Sequence, residues 1–292
     1  MSVRIPTSVF ITGATGFIGA HLIRRIDGMG IAVRALRRHG SSIRGVTSEN
    51  VRWMETPLGE LGVEHLQGTE VLIHLAAAGV LQGNSWDECF RTNVIESLRL
   101  WLTAVRAGVR RIVVVGSCFE YGRAGMRYAE IPTDCALEPT GPYHSSKAAA
   151  TMAAMGVCAE AQIELTIVRP FHTYGEGEHQ SRFWPQLKAA AIAGANFEMT
   201  AGEQVRDFTP VEMLASELAH YAFEQPLRPG APEIFNLGTG RPTTLLQFAR
   251  TEWKKFGATG EILPGRLKYR ENEVMRYVPR LDAAALDRIS RI

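Results

Sequence analysis

Short apolar runs alternate with stretches of helical spacing through the first part of the chain. Val9–Thr12 is apolar and ends at glycines, and Gly19–Met29 carries Leu22, Ile23 and Ile26 on one helical face. Ala32–Leu36, a shorter run near Val51–Met54, and Val71–Leu75 read as further strands. Val94–Ala107 has helical spacing and is closed by Gly108. Ile112–Val115 is a continuous β-branched run, the pattern of a strand buried on both faces. A helix around Ser145–Ala161 and a strand at Leu165–Val168 complete the series. Strands and helices alternating at this spacing imply βαβ units, so the expected fold is α/β with a doubly wound parallel sheet.

After Pro170 the pattern changes. Gly, Pro and charged residues interrupt shorter elements, and EIFNLGTG at 233–240 returns briefly to a strand that ends in glycines. The expected division is a first domain over 1–169 and a smaller carboxy-terminal lobe over 170–292, with some segments folding back on the sheet. The 292 residues suffice for one large domain or two smaller ones. Lys and Arg total 32 against 30 Asp and Glu, a net charge of +2, so charge gives no reason to expect nucleic acid or a membrane surface as partner. No apolar run approaches the roughly 18–20 residues of a spanning helix. The opening MSVRIPTSVFITGATGFIGA has no basic leader and is expected to belong to the fold, not to an export signal. Cys89, Cys118, Cys135 and Cys158 form no C-x-x-C pair and stand near no histidines at zinc spacing. No metal site is expected, and a reduced, cytoplasmic compartment is.

Gly13, Gly16 and Gly19 join the first strand to the first helix in the spacing G-x-x-G-x-x-G. Gly13 permits a tight turn, Gly16 lets backbone approach a pyrophosphate, and Gly19 lets helix and strand pack closely. The helix then offers unpaired N–H groups and its positive dipole end to the anion. A dinucleotide on a Rossmann-type sheet is the expectation. The second strand ends in Val33-Arg34-Ala35-Leu36-Arg37-Arg38-His39, with no acid for ribose hydroxyls. Arg37 and Arg38 suit a 2′-phosphate, which predicts NADP(H) in preference to NAD(H), unless both are solvated surface arginines.

Ser117 lies just beyond the Ile112–Val115 run, and Tyr143 and Lys147 stand four apart in YHSSK. That spacing puts phenol and ammonium on one helical face. A nearby ammonium and a cationic cofactor ring would favour the phenolate and lower its pKa, while the Ser117 hydroxyl holds a substrate oxygen near Tyr143.

TGATGFIG, HLAA at 74–77, Asn93, Ser117 with the Tyr-Gly of FEYG, and YHSSK resemble the extended short-chain dehydrogenase/reductases, and more narrowly their nucleotide-sugar epimerases, dehydratases and ketoreductases. Later landmarks are ArgProPhe at 169–171, TyrGly at 174–175, ArgAspPhe at 206–208, PheAsnLeuGly at 235–238 and TyrArgGluAsnGlu at 269–273. The resemblance implies Ser117, Tyr143 and Lys147 as the catalytic triad. It implies Gly13, Thr15, Gly16, Phe17, Ile18, Gly19, Leu75, Ala76, Ala77, Asn93 and Pro170 as cofactor contacts, together with Tyr143, Lys147, Arg37 and Arg38. On the substrate side it implies Ser117, Cys118, Phe119, His172, Arg206 and Arg270. Arg206 and Arg270 would clamp the diphosphate of a nucleoside-diphosphate sugar, to which two guanidinium forks are suited; the alternative for each is a structural ion pair. The family's Asn after Arg-x-Phe is here His172, either a substrate-side residue or a packed loop histidine. An aspartate that often follows the third strand is missing from METPLGE.

Dehydratases of this family carry Asp-Glu after the catalytic hydroxyl. Here Cys118 and Phe119 stand there, and Glu120, one place late, would face the other way on an extended segment. Epimerases usually keep the acidic second-strand residue, which is absent. The expected activity is NADPH-dependent reduction of the C4 ketone of a nucleoside-diphosphate 4-keto-6-deoxyhexose. The alternatives are an NAD-dependent epimerase of the same fold and a non-catalytic, cofactor-sensing regulator. Small residues along Ser145–Ala161 permit close helix approach, so a homodimer is expected, unless that helix packs closely only against its own sheet.

Overall fold

Val9, Phe10 and Ile11 are all fully buried, yet Val9 and Ile11 join one hydrophobic cluster and Phe10 another. A strand between two helical layers requires this alternation. The computed structural model describes residues 6–43, 46, 48–80, 85–271 and 273–291; the first five residues of the opening segment and Asn272 of the 269–273 landmark lie outside the described residues.

The sheet-forming part contains β1 (Ser8–Thr12), α1 (Phe17–Ile26), β2 (Ala32–Arg37), β3 (Val51–Glu55), α2 (Val63–Leu66), β4 (Val71–His74), α3 (Trp86–Phe90), α4 (Ser97–Arg106), β5 (Arg111–Val115), α5 (Gly122–Gly125), α6 (Pro142–Ala161) and β6 (Glu164–Pro170). Then follow β7 (Thr173–Tyr174), α7 (Phe183–Ile192), β8 (Phe197–Met199), β9 (Val205–Arg206), β10 (Thr209–Pro210), α8 (Val211–Phe223), β11 (Glu233–Leu237), β12 (Thr243–Thr244), α9 (Leu245–Lys255), β13 (Ile262–Pro264), β14 (Arg276–Tyr277) and α10 (Ala283–Ser290).

Seven parallel strands form the main sheet in the order β11-β6-β5-β4-β1-β2-β3. Strand order reverses between β1 and β4, and ligands of such sheets bind beyond the carboxyl ends at that point. α1 and α8 cover one face, and α4 and α6 the other. The fold is the expected α/β doubly wound one. Beyond Pro170 the elements are less fragmentary than the sequence pattern suggests: α8 is a full covering helix against α1, and β11 is the seventh strand. A smaller unit packs α7 and α9 around Leu187, Met199, Ala249 and Trp253, with β9 between antiparallel β12 and parallel β14.

All four cysteines are buried and unbonded. Among the described residues no helix is long and apolar enough to cross a membrane.

Candidate active site

The glycine turn fits a dinucleotide by what it leaves out. Gly13 has φ +67°, and a Cβ there would stand 2.7 Å from the Ala76 nitrogen. A Cβ on Gly19 would stand 2.3 Å from the Gly13 carbonyl oxygen. Between them Thr15 and Gly16 lead into α1, whose N-cap, Gly16, has no side-chain cap and whose first turn, at Phe17 and Ile18, carries no acid. The first-turn N–H groups lack intrahelical acceptors, so the cradle suits a pyrophosphate. Leu75, Ala76 and Ala77 run past it from the end of β4, and Ala76 N donates to Thr12 Oγ1 at 3.2 Å. Pro170 ends β6 opposite Leu237.

At the end of β2 the two arginines differ. Arg37 is not a free surface arginine: it pairs with Glu55, the last residue of β3, at 2.8 Å. Arg38 is exposed, and among the described residues it makes no ion pair.

α6 starts with Pro at its first position, after Gly141 at φ +90°, which sets Tyr143 and Lys147 one turn apart over β5. Lys147 Nζ donates to the Val115 carbonyl at 2.5 Å. Ser117 follows β5 and caps a 3-10 turn, Cys118–Tyr121: its Oγ accepts from Phe119 N at 3.2 Å. Burial pushes the Tyr143 phenol up to about 12, and a hydrogen bond from Ser117 pulls the other way. Burial also lowers the Lys147 pKa, opposed by Glu120. The expected acidified phenol is therefore not what the chain alone produces: desolvation outweighs the charges around it.

Glu120 lies away from the site for a reason other than an extended backbone. The 3-10 turn sends it into the core, where Oε1 accepts from Ser117 N at 2.8 Å and Oε2 from Thr151 Oγ1 at 2.8 Å and Arg169 Nε at 2.9 Å. Arg169 also donates to Tyr121 Oη at 2.9 Å and lies over that ring.

Asn93 acts as a brace. It sits in a π-helical turn, Arg91–Glu96, accepts from Ala78 N at 2.8 Å, and donates to the Ala78 carbonyl and Ser146 Oγ at 2.9 Å each. It thereby ties the loop after β4 to Ser146, near the start of α6. His74 makes a second brace: Nδ1 meets Thr12 Oγ1 at 2.7 Å and Nε2 meets Ser97 Oγ at 2.9 Å. Ser97 gives its own proton to the Thr92 carbonyl, so His74 Nε2 is the donor and Nδ1 the acceptor.

An aromatic group adjoins Tyr143, whose ring meets His144 edge-on at 6.0 Å. Phe119 stacks on His144 at 4.8 Å and meets His172 edge-on at 6.2 Å; His172 in turn meets Phe208 at 6.2 Å. His172 Nδ1 is buried and among the described residues has no hydrogen-bond partner, and burial, then Arg206 and Arg182, push its pKa down to about 3. Burial pushes the Cys118 thiol up to about 12. Arg206 pairs with Glu273 at 3.3 Å and donates to the Val205 carbonyl at 2.9 Å and to that of Val274. Arg270 is exposed, and its carbonyl accepts from Glu273 N at 3.1 Å. Sequence reasoning missed His144 and Arg182. His144 was legible as the neighbour of Tyr143; Arg182 acts on both Tyr143 and His172 from the start of α7, and no spacing rule announces that.

The parallel sheet with its glycine turn and helix-borne Tyr and Lys defines a class of nicotinamide-dependent α/β enzymes. Residues 9–238 match the model of the NAD dependent epimerase/dehydratase family, and the chain belongs to that family. CDP-abequose synthase of Salmonella typhimurium is 25% identical over 282 residues, 91% of this chain and 87% of that protein. A trifunctional UDP-glucose 4,6-dehydratase/UDP-4-keto-6-deoxy-D-glucose 3,5-epimerase/UDP-4-keto-L-rhamnose-reductase of Arabidopsis thaliana is 26% identical over 279 residues, 88% of this chain. The chain spans 48% and 40% of the length of the first curated relatives it matches, the second being this plant protein. MoeE5, solved in complex with UDP-glucuronic acid and NAD, superposes with a TM-score of 0.80 at 28% identity, over 97% of this chain and 92% of MoeE5.

Proposed function

We propose that the protein reduces the C4 ketone of a nucleoside-diphosphate 4-keto-6-deoxyhexose with NADPH. Ser117 Oγ holds the ketone oxygen, and Tyr143 Oη gives it a proton. Lys147, anchored on the Val115 carbonyl, supplies positive charge beneath the phenol. When bound, the reduced cofactor supplies the hydride, so hydride plus proton convert the carbonyl to an alcohol. Reduction needs a phenol that is protonated at neutral pH, and burial of Tyr143 keeps it so.

The observation that carries this reading is the Glu120–Arg169 pair. Water elimination needs an acid and a base beside Ser117. Glu120 is committed to Arg169, Cys118 is pushed up to about 12, and His172 is too weak a base with its pKa down to about 3. A single proton donor, Tyr143, is what a ketone reduction uses. The relatives' names, which include a keto-sugar reductase activity, support the substrate class. The preference for NADPH rests on Arg38 and on the missing second-strand acid.

In this reading His172 Nδ1 faces the substrate, Arg206 and Arg270 take its diphosphate, and the lobe over 170–292 is the sugar-nucleotide side. Exposed Leu102 on α4 and Met152 on α6 support a homodimer through those helices. The buried thiols suit a reducing cytoplasm.

The test is loss of NADPH absorbance on adding a panel of 4-keto-6-deoxyhexose nucleotides. The expected result is turnover with at least one of them and a faster rate with NADPH than with NADH. Release of tightly held NAD from the purified protein, with no net consumption of reduced cofactor, would instead mark an epimerase.

A further inference from the structure

β2 and β3 run in parallel with Arg37 level with Glu55, and Arg37 Nη2 meets Glu55 Oε2 at 2.8 Å. The other oxygen of Glu55 is hydrogen-bonded to His39 Nδ1, which holds the carboxylate from a second side. The Arg37 and Glu55 side chains keep 35% and 32% of their exposure, so the pair stands at the solvent edge of the sheet. Register sets Ile11 beside Ala35, and two residues further along each segment come Gly13 and Arg37. Arg37, the last residue of β2, therefore lies at the same end of the parallel sheet as the glycine turn that follows β1, where the adenosine ribose of a dinucleotide meets the end of the second strand.

We infer that Glu55 is a specificity-determining residue for the cofactor: it holds Arg37 in a pair that a 2′-phosphate must break and a 2′-hydroxyl leaves intact. Glu55 thus weakens NADPH binding selectively. Arg38, which makes no ion pair among the described residues, is the guanidinium left for the phosphate, and the enzyme accepts both cofactors instead of excluding NADH. The acid that the second strand lacks is supplied by the neighbouring strand, one step removed, as a competitor for Arg37. The inference takes its starting point from the proposed NADPH preference, but the competition between Glu55 and a 2′-phosphate holds whichever cofactor the wild type favours.

The experiment measures dissociation constants of NADPH and NADH by nucleotide fluorescence for the wild type, Glu55→Gln, Arg37→Met and the double variant, each checked for folding by thermal melting. Glu55→Gln is expected to tighten NADPH about fivefold, the scale of one exposed ion pair, and to leave NADH within about twofold. In the Arg37→Met background the same substitution is expected to change NADPH by less than about twofold, because the competed group is gone. An unmoved ratio of the two constants in Glu55→Gln, or an equal gain with Arg37→Met, overturns the inference. If the wild type binds NADH more tightly while Glu55→Gln still moves the ratio, the NADPH preference fails and the role of Glu55 stands.

Discussion

Glu120 Oε2 and Arg169 Nε meet at 2.9 Å with side-chain exposures of 0% and 2%. A charge pair so completely removed from water is held by its surroundings: Thr151 and Ser117 N complete the carboxylate, and Tyr121 and the Thr133 carbonyl complete the guanidinium. Glu120→Gln leaves Arg169 charged and without its partner in the core. The expected loss is about 3–5 kcal/mol of unfolding free energy in urea. Because Glu120 also fixes Ser117 N, kcat is expected to fall while NADPH affinity holds. A loss below about 1 kcal/mol would show that water or a neighbour replaces the carboxylate.

The glycine turn separates close packing from ligand approach. An added Cβ at Gly19 meets backbone, the Gly13 oxygen at 2.3 Å and Ala14 Cα at 2.7 Å, so the turn itself must move. At Gly16, with φ −74°, the Cβ meets only the Gly13 oxygen at 3.0 Å. Gly19→Ala should cost about 1–3 kcal/mol of stability and weaken NADPH at least about tenfold. Gly16→Ala should weaken NADPH with a smaller change in Tm. Equal Tm losses at the two sites would contradict this division.

His74 gives the fold an acid sensitivity with a definite sign. Burial, aided by the Lys147 ammonium, pushes its pKa from 6.5 down to about 3, so the folded chain keeps the ring neutral. Below pH 6.5 the unfolded chain takes up a proton there and the folded chain does not, so stability falls as pH drops from 6.5 towards 3. Each unit in that window removes up to about 1.4 kcal/mol. His74→Gln cannot titrate. Between pH 7 and about 4.5 it should lose about 2–3 kcal/mol less than the wild type, although it starts from a lower stability. Identical pH slopes in urea titrations would sink the account.

The inner strands were legible because burial on both faces leaves a plain record: Val9–Phe10–Ile11 and Ile112–Val115 are apolar without a break. The turn and the Tyr–Lys pair were legible because one stretch of chain carries each. α8 was not, because ten of its 13 residues are buried and a helix covered on most sides shows no clear stripe. The fate of Glu120 was hidden for another reason: the backbone after Ser117 turns as a 3-10 helix, and its partner, Arg169, lies 49 residues on. Arg37 is a similar case, since Glu55 reaches it only through the register of two strands. The aromatic group of Phe119, His144, His172 and Phe208 likewise joins four separate segments. Local chemistry was readable, and pairing across elements was not.

Tyr143 carries the most direct test of the chemistry. Its phenol is held up at about 12 by burial, so it is a proton donor across the neutral range. Reduction by the wild type should therefore stay flat between pH 7 and 10 and fall only as the phenol begins to ionise. Tyr143→Phe keeps the ring and its packing but removes the proton. The expected result is a fall in kcat of about 10²–10⁴ with the NADPH dissociation constant within about twofold. Ser117→Ala should also lower kcat, and through the ketone oxygen it should raise KM for the sugar nucleotide and not for the cofactor. Single-turnover measurements with preformed NADPH complex separate the chemical step from binding in both variants. Turnover near the wild-type rate in Tyr143→Phe would mean that the proton comes from elsewhere, with Lys147 as the next group to test.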